Sequence, residues 1–234
     1  MMRGPLLAGL LYVASLAPAV HADDVHHRPA LLYQFAAEHL EVHEGGKFRW
    51  DVRAWAGSEV QRLMLRSRGE REHGRTSDGE IEAGWQHAIG TWWDATIGWR
   101  GSERPGPRRD WLMLGLRGLA PWFVEVDAML YLSDAGHGEV RLEAGYELPL
   151  TQRLILAADV ELRANLREDP RRRAGSGLHA AGFELRLRHE FTRKFAPYVG
   201  AVAEHRFGDS RKLARTAGMR TSEIQLLAGV MLWY

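Results

Sequence analysis

The chain has 234 residues, 45% of them hydrophobic, and its 31 basic and 30 acidic residues leave a net charge of +1. Acid and base are interspersed, which excludes the one-sided basic excess that phosphate binding needs, so no nucleic acid is expected as a partner. The lack of cysteine excludes disulfides, thiolate metal sites and a cysteine nucleophile, and no apolar run beyond residue 22 approaches the ~18 residues of a spanning helix.

The amino terminus reads MMRGPLLAGLLYVASLAPAVHADD. Arg3 is a charged leader, Leu6 to Leu16 a short apolar core, and Val20-His21-Ala22 a small-x-small cleavage signal. Residues 1–22 are therefore predicted to be a signal peptide that takes the chain out of the cytoplasm. The apolar core is too short for a retained anchor. A short segment, 23–37, precedes the ordered part, which the resemblance below starts at 38 and carries to 234.

From there the pattern has a period of two, in segments of about ten residues, the length of a tilted transmembrane strand. Phe48, Trp50, Val52 and Ala54 share one face and Arg49, Asp51 and Arg53 the other. Val124, Val126, Ala128 and Leu130 oppose Glu125, Asp127, Met129 and Tyr131. Val140 to Leu148, Leu154 to Ala164 and Ala181 to Glu190 repeat the pattern. Strands are expected near 30–43, 47–56, 61–70, 80–88, 92–100, 110–117, 123–132, 139–148, 154–165, 179–190, 196–206 and 222–234. The first has a smudged alternation. Pro197 suits the start of its strand.

A soluble sandwich would use connections of similar length at both ends. Here short connectors near 88–91, 118–121, 149–152 and 192–194 interleave with long polar ones at 71–79, 101–109, 167–177 and 207–220, as periplasmic turns interleave with extracellular loops. The fold expected is an all-β, closed antiparallel transmembrane β-barrel of about twelve strands, with ten or fourteen as alternatives. Trp92, Trp93, Trp111, Trp122 and Tyr198 fall near strand ends and are expected in aromatic girdles. The closing EIQLLAGVMLWY, apolar at every second position back from Tyr234, reads as the strand that closes the barrel against the first.

Several stretches resemble the outer-membrane copper resistance protein B family, in that family's order: WDVRAW (50–55), EVQRLMLRSRGE (59–70), WWDATIGWR (92–100), GLRGLAPWFVEVDAMLYLSDAG (115–136), YELPLTQRLIL (146–156), GSGLHAAGFELRLRHE (175–190) and KFAPYVGAV (194–202). The resemblance implies a barrel in the outer membrane of a Gram-negative bacterium that binds or passes copper ions and contributes to copper resistance. It implies copper ions as cargo, bound or transported rather than catalytic, with outer-membrane lipid and a periplasmic copper-handling protein as partners. Members of that family commonly carry a long Met- and His-rich segment before the barrel. Here only HADDVHHRP (21–29) stands there.

Candidate ligands follow from parity and donor chemistry. Met64, Met113, Met129 and Met231 all point inward, and a thioether is a soft ligand suited to Cu(I); flexible methionine also fills gaps in a crowded lumen. His26 and His27, beside Asp23 and Asp24, offer imidazole for Cu(II). Glu125 and Asp127 mark a narrow acidic stretch in a lumen otherwise expected to be plugged by paired acids and arginines. Two other functions compete: a non-specific small outer-membrane barrel without copper binding, and a lipid-active outer-membrane enzyme using outward Ser67 and His87. The second lacks an evident third member to orient the histidine, and the chain is expected not to be an enzyme.

Overall fold

The computed structural model describes residues 31–234 apart from 104–107, 170, 171, 173, 217 and 219. The expected signal peptide, most of the 23–37 segment, and His26 and His27 lie outside the described residues. Twelve strands pair in chain order around a closed antiparallel barrel: β1 (Leu32–His43), β2 (Phe48–Gly57), β3 (Gln61–Glu72), β4 (Arg75–Ala88), β5 (Trp93–Glu103), β6 (Arg109–Ala120), β7 (Val124–Ser133), β8 (Gly138–Pro149), β9 (Leu154–Asn165), β10 (Gly177–His189), β11 (Phe195–Arg206) and β12 (Ser222–Trp233), with one helix, α1 (Gly208–Thr216), between the last two. Closure leaves no unpaired edge. β12 docks on β1, and the last residue takes part: Tyr234 N donates to Phe35 O at 2.8 Å and accepts at its own carbonyl from Phe35 N at 3.0 Å.

The strands form because alternation satisfies two media at once. The apolar set faces outward, and Leu63, Ile97 and Ile224 remain 66%, 47% and 74% exposed. A continuous outer band of this kind is untenable in water and is the lipid-facing surface of a membrane barrel. The charged set faces inward, where Glu41, Asp51, Arg66, Glu82, Arg100 and Arg141 are buried.

Two departures from the sequence pattern have local causes. On β1, pairing with β2 runs Ala36 to Arg53 and Ala37 to Val52, then resumes with His39 opposite Asp51. Glu38 is therefore an extra residue, a β-bulge. Before it Gln34 and Ala36 face the lumen; after it His39, Glu41 and His43 do, and that change of parity is the smudge in the sequence. The second departure is the connection 71–79. β3 and β4 pair until only His73 and Gly74 remain between them, with φ of 49° and 77°, the two left-handed positions of a tight hairpin turn. A charged stretch above the membrane is wet on both faces and can stay in the ladder, so polarity alone overstated the loop. The long connections at that end are 166–176 and 207–221.

Trp92 and Trp122 stand at the opposite, short-turn end, 61% and 85% exposed. Trp111 and Tyr198, expected in girdles, are instead inside the lumen, each 4% exposed. Their positions lie on the inward parity of β6 and β11, and parity outweighs proximity to a strand end.

Candidate functional site

The lumen is filled on its loop-bearing side. Arg66 donates to both oxygens of Asp51, at 2.9 and 2.6 Å, and to Glu143 at 3.2 Å. Arg68 donates to Glu143 at 2.7 Å. Arg141 reaches Glu80 at 2.8 Å and Glu82 at 3.4 Å, and Tyr131 donates to the same Glu82 oxygen at 2.7 Å. Arg100, fully buried, donates to Glu139 at 3.0 Å and lies between two aromatic faces, 4.6 Å from the ring centre of Trp111 and 3.5 Å from that of Tyr131. Burying charges like these costs several kcal/mol per ion, and interleaved partners offset it.

Above this network Asp169 and Arg172 reach the loop-side ends of β5 and β6. Arg109 donates to Asp169 at 2.6 Å, and Trp111 Nε1 and Arg172 both donate to Ser102 Oγ at 3.0 Å. Burial pushes the Asp169 carboxyl up, but the hydrogen bond and charge of Arg109, with smaller help from His137, outweigh it and hold it below the ordinary carboxylate value.

On the short-turn side the lumen is open. A cavity of about 760 Å³ opens there, lined near those turns by residues such as Gln34, Trp55, Arg62, Asp94, Glu125 and Trp233, and its inner wall is the network itself, at Asp51, Arg66, Arg68 and Glu143. In barrels of this kind that end faces the periplasm. Ten carboxylates and eight arginines line it, so acid is in slight excess. Glu125 is exposed at the mouth. Asp127, 7% exposed, is bridged to Arg117 at 2.9 Å, while its Oδ1 is buried with no hydrogen-bond partner among the described residues.

The methionines separate into three and one. Met64, Met113 and Met129 pack with Trp111, Tyr131 and Trp55 in one buried cluster. Glycines on the same inner face make the room. A Cβ at Gly84 or Gly98 would stand 2.9 Å from Met113 Cε, and one at Gly115 would strike the Met129 sulfur at 2.0 Å. Met129 follows Asp127 by two residues on one strand face, which puts its thioether one rung deeper than Asp127, and Met113, paired with Tyr131, lies further in. Met231 lies elsewhere, against Tyr198, Val202 and Leu227. It lines the cavity and accepts a hydrogen bond from Arg188 Nη1 at 3.4 Å.

Among the described residues no group of three or more histidines and carboxylates is arranged to hold a metal. His43 sits between Glu41 at 3.0 Å and Gln225 at 3.2 Å. His39 lines the cavity, which the sequence pattern missed because the bulge that aims it cannot be located without the pairing. The Ser67 and His87 pair does not form. Ser67 is opposite Ile81 and His87 opposite Gln61, six residues apart along the ladder or about 20 Å, and Ser67 Oγ is taken by Trp50 Nε1 at 3.2 Å.

The fold resembles a solved structure of the NanC porin, 13% identical, with a TM-score of 0.55 over 86% of this chain and 99% of that one. Sequence relatives are more informative. A copper resistance protein B homolog from Pseudomonas syringae pv. tomato is 38% identical over 217 residues, 92% of this chain and 74% of the relative. Copper resistance protein B from Escherichia coli is 34% identical over 211 residues, 89% and 71% of the two chains. The likeness to the porin shows the barrel fold, and these relatives carry the family assignment. The model of the copper resistance protein B precursor (CopB) matches residues 31–234, the entire barrel, and the chain belongs to the copper resistance protein B family.

Proposed function

We propose that this barrel draws copper ions into its periplasm-facing cavity, binds or passes them in the lumen, and so contributes to copper resistance. The observation that carries the reading is the gathering of Met64, Met113 and Met129 in one buried cluster, deeper in the lumen than Glu125 and Asp127. Carboxylates at the mouth concentrate cations of any kind. Neutral thioethers behind them discriminate, because soft sulfur suits Cu(I) and serves hard cations poorly. Copper is cargo here and no catalytic cofactor. The reading includes export by the residue 1–22 signal, residence in the outer membrane of a Gram-negative bacterium with lipid against the apolar band, and delivery of copper to the cavity by a periplasmic copper-handling protein. His26 and His27 are proposed as an additional capture point ahead of the barrel.

The competing reading is a non-specific small barrel in which the methionines only fill space. Cu(I) titration of the refolded barrel separates the two. Leucine keeps the volume of methionine and removes the donor. The triple variant Met64→Leu, Met113→Leu, Met129→Leu is expected to lose at least one bound equivalent while remaining folded. Unchanged affinity and stoichiometry would leave these thioethers as packing alone.

A further inference from the structure

The bulge on β1 does more than disturb a pattern. Pairing with β12 places Ala37 opposite Leu232 and resumes with Leu40 opposite Val230. Glu38 and His39 therefore share a single residue across the seam, Met231. All three line the periplasm-facing cavity. His39 and Met231 also have a common neighbour: the imidazole stands edge-on to the Tyr198 ring at 6.5 Å, and Met231 packs on the cluster that contains Tyr198. Residues opposed on adjacent strands have Cβ atoms about 5 Å apart, close enough for an imidazole nitrogen and a thioether sulfur to hold one ion.

The donor atoms point the same way. His39 Nδ1 is buried with no hydrogen-bond partner among the described residues, a state that buried polar atoms seldom keep. Met231 Sδ has only a hydrogen bond from Arg188, and sulfur is a weak acceptor. Arg188 is held independently by both oxygens of Glu147, at 2.8 and 2.9 Å, so an ion can replace it at the sulfur without stranding the guanidinium. Imidazole serves many transition metals, but thioether narrows the set to copper, above all Cu(I).

We propose that His39, through Nδ1, and Met231, through Sδ, form a copper site on the seam between β1 and β12, beside Glu38 of the same bulge, whose carboxylate is bridged to Arg53 at 3.3 Å. The site rests on the copper reading of the barrel and gives the cargo a stop at the cavity wall, separate from the Met64, Met113 and Met129 cluster. Neither residue suffices alone, and only the bulge puts them on one face.

Competitive Cu(I) titration of the full-length barrel in detergent, against a colorimetric Cu(I) chelator, tests this. His39→Gln and Met231→Leu are each expected to weaken one equivalent at least tenfold, and the double variant should be no weaker than the singles, since both residues hold the same ion. X-ray absorption should show a nitrogen scatterer that disappears in His39→Gln while sulfur remains. The triple leucine variant of the other cluster should keep this equivalent. If both seam variants titrate like the wild type while the triple variant loses copper, the seam site is wrong and the copper reading stands. If the wild-type barrel takes up no Cu(I), both fall. Heat-modifiable gel mobility establishes that each variant is folded, and volume-conserving Met231→Leu keeps the test decisive should His39→Gln fail to assemble.

Discussion

Gly115 shows how a residue without a side chain can shape a site. It faces the lumen on β6, and the Met129 thioether lies where its Cβ would be, 2.0 Å from the sulfur. Gly115→Ala must displace Met129, and overpacking of this kind costs about 1–3 kcal/mol. Gly182 also faces inward, yet a Cβ there would meet nothing closer than Glu161 Cβ at 4.0 Å. Urea unfolding of the refolded barrel should show Gly115→Ala destabilised by that amount and Gly182→Ala nearly unchanged. Equal effects at the two positions would mean that the groove under Met129 is not specific. The inward aim of Met64, Met113, Met129 and Met231 was legible from parity alone. That three of them meet was not, because depth in a barrel depends on strand tilt and stagger, which alternation does not encode. The glycines that seat them look in the sequence like ordinary strand breakers.

At the scale of elements, all twelve strands were legible, because each must be apolar on one side and polar on the other. The failures were local. A one-residue bulge at Glu38 exchanges the faces of β1, and two-residue closure at His73 and Gly74 turns an apparent loop into hairpin. Both are set by pairing with a neighbouring strand, information that lies elsewhere in the chain. β12 carries the most demanding role, since it must find β1 across the whole sequence. Tyr234 bonds its backbone to Phe35, and its ring receives Lys194 Nζ at 3.8 Å from the ring centre. Tyr234→Ser keeps the backbone and removes the aromatic anchor. The fraction of heat-modifiable, folded barrel in the outer membrane is expected to fall, while Tyr234→Phe should retain most of it. Normal assembly of the serine variant would assign closure to the β12 ladder alone.

The two ends of the whole molecule are unlike, and a purely compositional reading could not have said which end is closed. Alternating acid and base along the inner face implied a plugged lumen, but the closed end also involves Asp169, buried against Arg109 above that network. The result is a cup that opens at its short-turn end, with the Arg109–Asp169 bridge over its closed end. Because the Asp169 carboxyl is held below its ordinary value in the folded barrel, the bridge is fully formed above the ordinary carboxylate value of about 4 and is lost as pH falls through the lowered one. Planar-bilayer conductance is therefore expected to be small at neutral pH and to rise only once the pH has fallen below the ordinary carboxylate range, as Asp169 takes up a proton. Asp169→Asn removes the charge at every pH and should conduct at neutral pH as the wild type does in acid, without a further rise at this position. Because acid also protonates lumenal carboxylates, the neutral-pH comparison decides: equal conductance of Asp169→Asn and wild type would place the seal in the buried Arg100 and Arg141 network rather than in the connection above it.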